Sequence, residues 1–234
     1  MKLYENIVIG NFLYGLGFAV RARTTTGLVP SVINLLQQTP ADKELADVLL
    51  EFPGVIRLIE FKQLNNKSNK EKTRHEQLTA AIGGGTRMAE VSRAIHWFVE
   101  THPENKTFIS RIVPYLDAYP QDKQQHSLAQ FISSIAEDVV NGQNTFSPKE
   151  LRGYLSLVAR CQGSGSVSTG GLLLAINAKG DINFVELTDM MQLRLQHKNF
   201  VAEIKANMEK ALEQDRQREL SLDRKDRGYE HERS

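Results

Sequence analysis

Asp47, Glu60 and Lys62 carry the side-chain types that metal-assisted hydrolysis needs, and their spacing brings them together. Residues 46–62 read as two strands around a turn at Pro53-Gly54. Val48, Leu50 and Phe52 alternate with Asp47, Leu49 and Glu51; on the return strand Arg57, Ile59 and Phe61 alternate with Leu58, Glu60 and Lys62. Period-two alternation sorts side chains onto two faces, so Glu60 and Lys62 share a face, roughly 6.6 Å apart along the strand. Proline pre-sets φ and glycine tolerates positive φ, so the pair suits a tight loop. A two- or four-residue loop pairs Phe52 with Val55 or Glu51 with Ile56, and both place Asp47 opposite Glu60. An odd-length loop would shift this register by one residue. Facing carboxylates destabilise a sheet. A divalent cation offsets that repulsion, because Mg²⁺ is held by one or two carboxylates together with water and substrate phosphate oxygens.

An Asp on one strand, a turn, and Glu-x-Lys on the next strand resembles the PD-(D/E)XK, or restriction-endonuclease-like, nuclease superfamily. The resemblance covers about residues 1–82, and Ala46 stands where that pattern has proline. It implies an α+β fold, with a restriction-endonuclease-like core of a central sheet flanked by helices. It implies hydrolysis of phosphodiester bonds, in DNA first of all, by an endonuclease or exonuclease using Mg²⁺ or Mn²⁺. Asp47 and Glu60 would hold the metal, with Glu5 at the start of the first helix as a further ligand. Lys62 would orient the attacking water or stabilise developing charge, and Gln77, on the following helix near Arg74 and His75, would position water or phosphate. Defence against foreign DNA (an antiviral role) and DNA processing both suit such an enzyme. A homo-oligomer is expected, since cutting both strands uses two sites, and a protein partner subunit is a further expectation. Two other readings stand beside it: a nuclease-like subunit that no longer cuts and serves nucleic-acid binding or assembly, and an α+β scaffold whose acidic hairpin faces solvent.

The segment 63–72 is polar and aperiodic and reads as a loop. Lys67, Lys70 and Lys72, with Arg74 beyond, make it basic enough to contact phosphates, which positions a strand without reading its sequence. Asp181 and Glu186 form a rival acidic pair but lack a Glu-x-Lys partner, and Glu51 is a further acid on the Asp47 strand.

At 234 residues the chain fits one domain, taken as residues 1–212, followed by a mixed-charge tail at 213–234. A net charge of +1 provides no global basic field for gripping nucleic acid. The single cysteine, Cys161, excludes an internal disulfide and a cysteine-rich zinc site, and fits a reducing cytoplasm. The apolar run Ile7–Val20 is too short to span a bilayer and predicts a buried helix stopped near Gly15 or Gly17, with a strand starting at Phe18. A helix or irregular turn is expected over Gly27–Gln38, and helices over Lys72–Ile82, Thr86–Glu100 and Leu128–Val140. Gly83-Gly84-Gly85 lacks the Lys and Ser/Thr of a phosphate-binding loop and reads as a turn. Thr107–Val113 reads as a strand. Ser147-Pro148-Lys149-Glu150 predicts a capped helix start, with the helix running to about Arg160. A Gly/Ser-rich linker follows, then a second hairpin of Leu172–Asn177 and Ile182–Leu187, and a long helix capped by Thr188 or Asp189.

Overall fold

The computed structural model describes residues 4–24, 31–35, 46–52, 55–63, 69–104, 107–120, 126–141, 146–161, 171–176 and 182–187, with residues 210, 213, 214, 216 and 217. The chain divides into two units, Met1–Met191 and Gln192–Ser234. In the second, the described residues are helical and exposed. Of the rival pair, Asp181 falls outside this description and Glu186 lies on the strand 182–187; the expected helix from Thr188 and most of the tail also fall outside it.

The first unit is a mixed α+β structure. Its elements run α1 (Glu5–Arg23), β1 (Ser31–Leu35), β2 (Val48–Phe52), β3 (Val55–Gln63), α2 (Lys70–Ile82), α3 (Thr86–Ile95), β4 (His96–Glu104), β5 (Thr107–Pro114), α4 (Leu128–Asn141), α5 (Pro148–Cys161), β6 (Gly171–Ile176) and β7 (Ile182–Leu187), with a 3-10 turn at Tyr115–Asp117. The strands form a seven-stranded sheet in the order β5-β4-β3-β2-β1-β6-β7. Every neighbouring pair is antiparallel except β3 with β4, which α2 and α3 separate in sequence. That connection follows from chain geometry, because parallel neighbours need a crossover and helices supply it.

The hairpin register is the one the Pro-Gly turn predicts: Phe52 faces Val55 and Glu51 faces Ile56. The two sheet faces then divide cleanly. Val48, Leu50, Phe52, Val55, Ile59, Phe61, Val99 and Ile112 pack beneath α1 and α4. From α1 they receive Val8, Ile9, Phe12, Leu16 and Val20, and from α4 Phe131, Ile135 and Val139. The opposite face carries Asp47, Glu60, Lys62, His96, Phe98, Glu100 and Arg111 and lies toward α2, α3 and α5. There His96 Nδ1 hydrogen-bonds the Tyr154 hydroxyl of α5 at 2.7 Å, and the His96 ring stacks on Tyr115 at 4.1 Å.

Three elements differ from the sequence expectation. Helix α1 continues through Gly15 and Gly17 to Arg23, in place of a strand at Phe18. A Cβ on Gly15 would stand 3.3 Å from Ile132 Cδ1, so this glycine lets α1 approach α4 closely instead of ending the helix. Residues 31–35 form β1, where a helix or turn was expected, because pairing with β2 and β6 claims the β-branched Val32-Ile33. The helix from Thr86 stops at Ile95 rather than Glu100, and His96 opens β4. Trp97-Phe98-Val99 is a short apolar run, and such runs fit a helix or a strand buried on both faces equally well.

Candidate active site

Strand β3 presents Glu60 and Lys62 on one face, and continuing the β2–β3 register sets Asp47 beside Glu60. All three are sequestered: Glu60 is 3% exposed and Asp47 6%, and the Lys62 side chain 18%. The solvent-facing reading of this hairpin is therefore incorrect. Asp47 Oδ2 accepts a hydrogen bond from the Phe61 N–H at 2.7 Å, which ties the residue preceding β2 to the next strand. Lys62 Nζ donates to Glu60 Oε1, donates to the Phe61 carbonyl at 3.1 Å, and lies 3.7 Å from Asp47 Oδ2. Its ammonium thus stands between the two acids.

Glu5, at the first turn of α1, reaches the end of the same strand. Its Oε1 accepts from the Gln63 N–H at 3.1 Å. Burial raises its pKa, Lys62 and the Gln63 N–H oppose this, and Asp47 and Glu71 add to the rise. The sequence reading missed Glu71. It is 5% exposed on the first turn of α2, its Oε1 accepts from the Tyr115 hydroxyl at 2.5 Å, and Arg74 Nη1 lies 3.5 Å from its Oε2. A signal for it existed. Glu71, His75, Leu78 and Ile82 follow helical spacing and form the buried face of α2.

This crowding sets the electrostatics. Burial pushes the Glu60 carboxyl well above the ordinary range, and Glu71 and then Asp47 push it further against the pull of Lys62. Burial alone would lower Lys62, but Glu60, Asp47 and Glu71 outweigh it and hold the ammonium protonated above its usual range. The phenol of Tyr119 also titrates high, through burial and the charges of Glu71 and Glu100, with Lys62 and Arg111 opposing. Beside Lys62 in the strand register, Glu100 accepts from Arg111 Nη1 at 3.0 Å, and Arg111 Nη2 donates to the Ala118 carbonyl at 2.9 Å. This pair braces the far side of the site.

Other expected site residues fall elsewhere. Gln77 lies on the exposed side of α2, opposite its buried face. Lys70 and Lys72 are exposed on the same helix, and Lys72 lies 4.0 Å from Glu76. Arg74 turns inward to Glu71, and Lys67 is outside the described residues. Glu51 is buried on the Asp47 face of β2.

Four carboxylates (Glu5, Asp47, Glu60 and Glu71) thus influence one another around Lys62, with Arg74 the further cation paired to them among the described residues. Such an excess of buried anionic oxygen suits a hard divalent cation. Among the described residues, no group of three or more His, Cys, Asp or Glu side chains is arranged to hold a metal ion. Mg²⁺ in general takes one or two protein carboxylates and completes its shell with water or phosphate oxygens. Among the described residues, no helix is long and apolar enough to cross a membrane. No family model, no curated protein and no solved structure matches this chain.

Proposed function

We propose that this protein is a metal-dependent nuclease of the restriction-endonuclease-like kind, hydrolysing phosphodiester bonds in DNA. The observation that carries the reading is the convergence of Asp47, Glu60 and Lys62 in one buried cluster on one sheet face. Glu5, on the first helix, also reaches the end of β3, which supports the reading. Asp47 and Glu60 would hold Mg²⁺ or Mn²⁺, with Glu5 beside them; when bound, the metal supplies Lewis acidity and a lowered pKa for coordinated water. The chain's own residues do the rest. The Phe61 N–H fixes Asp47, and the Gln63 N–H fixes Glu5. Lys62, kept protonated by its acids, donates toward the oxygen that gains charge, a role suited to its compact ammonium. Lys70 and Lys72, exposed at the start of α2, draw the phosphate backbone toward the site. Defence against foreign DNA and DNA processing are both roles for such an enzyme.

The test is cleavage of linear, supercoiled and single-stranded DNA with Mg²⁺ or Mn²⁺. The Lys62→Ala variant should fold and lose about 10²–10⁴-fold in rate. Equal cutting by both proteins, or none by either on all three substrates, counts against the reading. A second reading, the non-cutting nuclease-like subunit, is favoured by one observation: Lys62 already occupies the space between Asp47 and Glu60. Metal titration separates the two. A nuclease gains thermal stability with Mn²⁺ through Asp47 and Glu60, whereas a subunit of that kind does not.

A further inference from the structure

Helix α1 is apolar on two sides. One side is buried against the sheet and α4. The other leaves Tyr14 77%, Phe18 70% and Ile7 46% exposed, and Tyr4, the extended residue just before α1, is 54% exposed. Large apolar side chains grouped on one surface mark an interaction site more often than singly scattered ones do. These four are not scattered. Tyr4, Ile7, Asn11, Tyr14, Phe18 and Arg21 recur at alternating spacings of three and four, which is the seam of a coiled coil. Gly10 and Gly17 flank the seam, and a Cβ at either would meet nothing within 4 Å, so a second helix can come close.

We infer that this seam pairs two copies of the chain, α1 against α1 in antiparallel orientation about a two-fold axis. The sequence of the seam is self-complementary in that orientation. Tyr4 meets the other copy's position 21, Ile7 meets position 18, and Asn11 meets position 14. Each pair is chemically matched: the Arg21 guanidinium over a Tyr4 ring, Ile7 against the Phe18 ring, and the Asn11 amide beside the Tyr14 hydroxyl. A parallel pair would set Arg21 against Arg21 and lose all three matches. Antiparallel packing also opposes the helix dipoles. A single polar Asn within such a seam fixes register. Aromatic side chains bury roughly 150–250 Å² each, so the exposed parts of Tyr4, Tyr14 and Phe18 offer about 400 Å² per copy. Two copies, with Ile7 and Arg21 added, approach the ~1,000 Å² that separates specific interfaces from incidental ones. The interface is isologous and closes as a dimer. It does not depend on the activity proposed above.

The test is light scattering and sedimentation of the full chain at high micromolar concentration. A dimer is expected. Tyr14→Glu combined with Phe18→Glu changes exposed positions and should weaken dimerisation by about 30-fold or more while leaving the circular dichroism spectrum unchanged. Should that variant fail to fold, Asn11→Arg charges the same seam at another exposed position, and the same loss is expected. Orientation is read by disulfides in a Cys161→Ser background. Ile7→Cys with Phe18→Cys should cross-link copies on oxidation, and Phe18→Cys alone should not. A monomer at high concentration overturns the inference. A dimer untouched by the seam substitutions, or cross-linked by Phe18→Cys alone, overturns it as well.

Discussion

Replacing Lys62 with methionine removes the ammonium between Asp47 and Glu60 and keeps an unbranched stem of similar volume. Glu60 and Asp47, 3% and 6% exposed, are then left with buried charge. Removing one partner of a buried ion pair costs about 3–5 kcal/mol. The Lys62 side chain is 18% exposed, and Asp47 keeps the Phe61 N–H, so the lower end applies. The expected loss near pH 8 is about 3 kcal/mol. A protein of this size holds about 5–15 kcal/mol in all, so the variant stays folded. In urea the midpoint should fall with no change in slope, and the melting temperature should drop by about 6–12 °C. The sign of the pH dependence follows from Glu60. Its folded pKa is already raised, so the folded state binds its proton more tightly than the unfolded chain. Acidification therefore neutralises the stranded carboxyl, and the loss should shrink toward pH 5. Adding Glu60→Gln to Lys62→Met should recover much of the stability through a favourable coupling. A loss below about 0.5 kcal/mol near pH 8 lies within the range of ordinary surface substitutions and would refute the buried-cluster reasoning.

Further outcomes follow from other parts of the fold. His96 is buried and uncharged, its pKa lowered to about 3 by desolvation with a smaller contribution from His75. The unfolded chain therefore binds a proton below about pH 6.5 that the folded protein refuses. Between pH 6.5 and 4 the wild type should lose about 1–3 kcal/mol more than His96→Phe, read by urea denaturation at each pH. The Ser147 hydroxyl accepts from the Glu150 N–H at 3.3 Å, and the Glu150 carboxylate accepts from the Ser147 N–H at 2.7 Å, at the start of α5. Ser147→Ala should cost about 1 kcal/mol, visible as a fall in melting temperature of a few degrees.

Much of the site was legible because strand periodicity and turn chemistry are local. The Pro53-Gly54 turn and the alternation around it were enough to place Asp47 beside Glu60 and Lys62 on their side. The α5 start was legible for the same reason, since a capping box lies within four consecutive residues. What was not legible depends on contacts distant in sequence. Gly15 reads as a helix stop until Ile132 of α4 is placed against it. Trp97-Phe98-Val99 reads as helix until β3 on one side and β5 on the other claim its backbone. Glu71 sits in a polar stretch that resembles a loop, and only the buried face shared with His75, Leu78 and Ile82 turns it inward. Gln77 carried the chemistry expected of a water-positioning residue, yet the rotation of α2 sends it to solvent.

The most direct test of the central claim is a plasmid-nicking time course with Mn²⁺, run for the wild type and Asp47→Asn and repeated with a chelator. Metal-dependent nicking by the wild type is expected, abolished by the chelator and reduced at least about 100-fold in Asp47→Asn. Nicking that survives the chelator, or that Asp47→Asn performs at the wild-type rate, would contradict it.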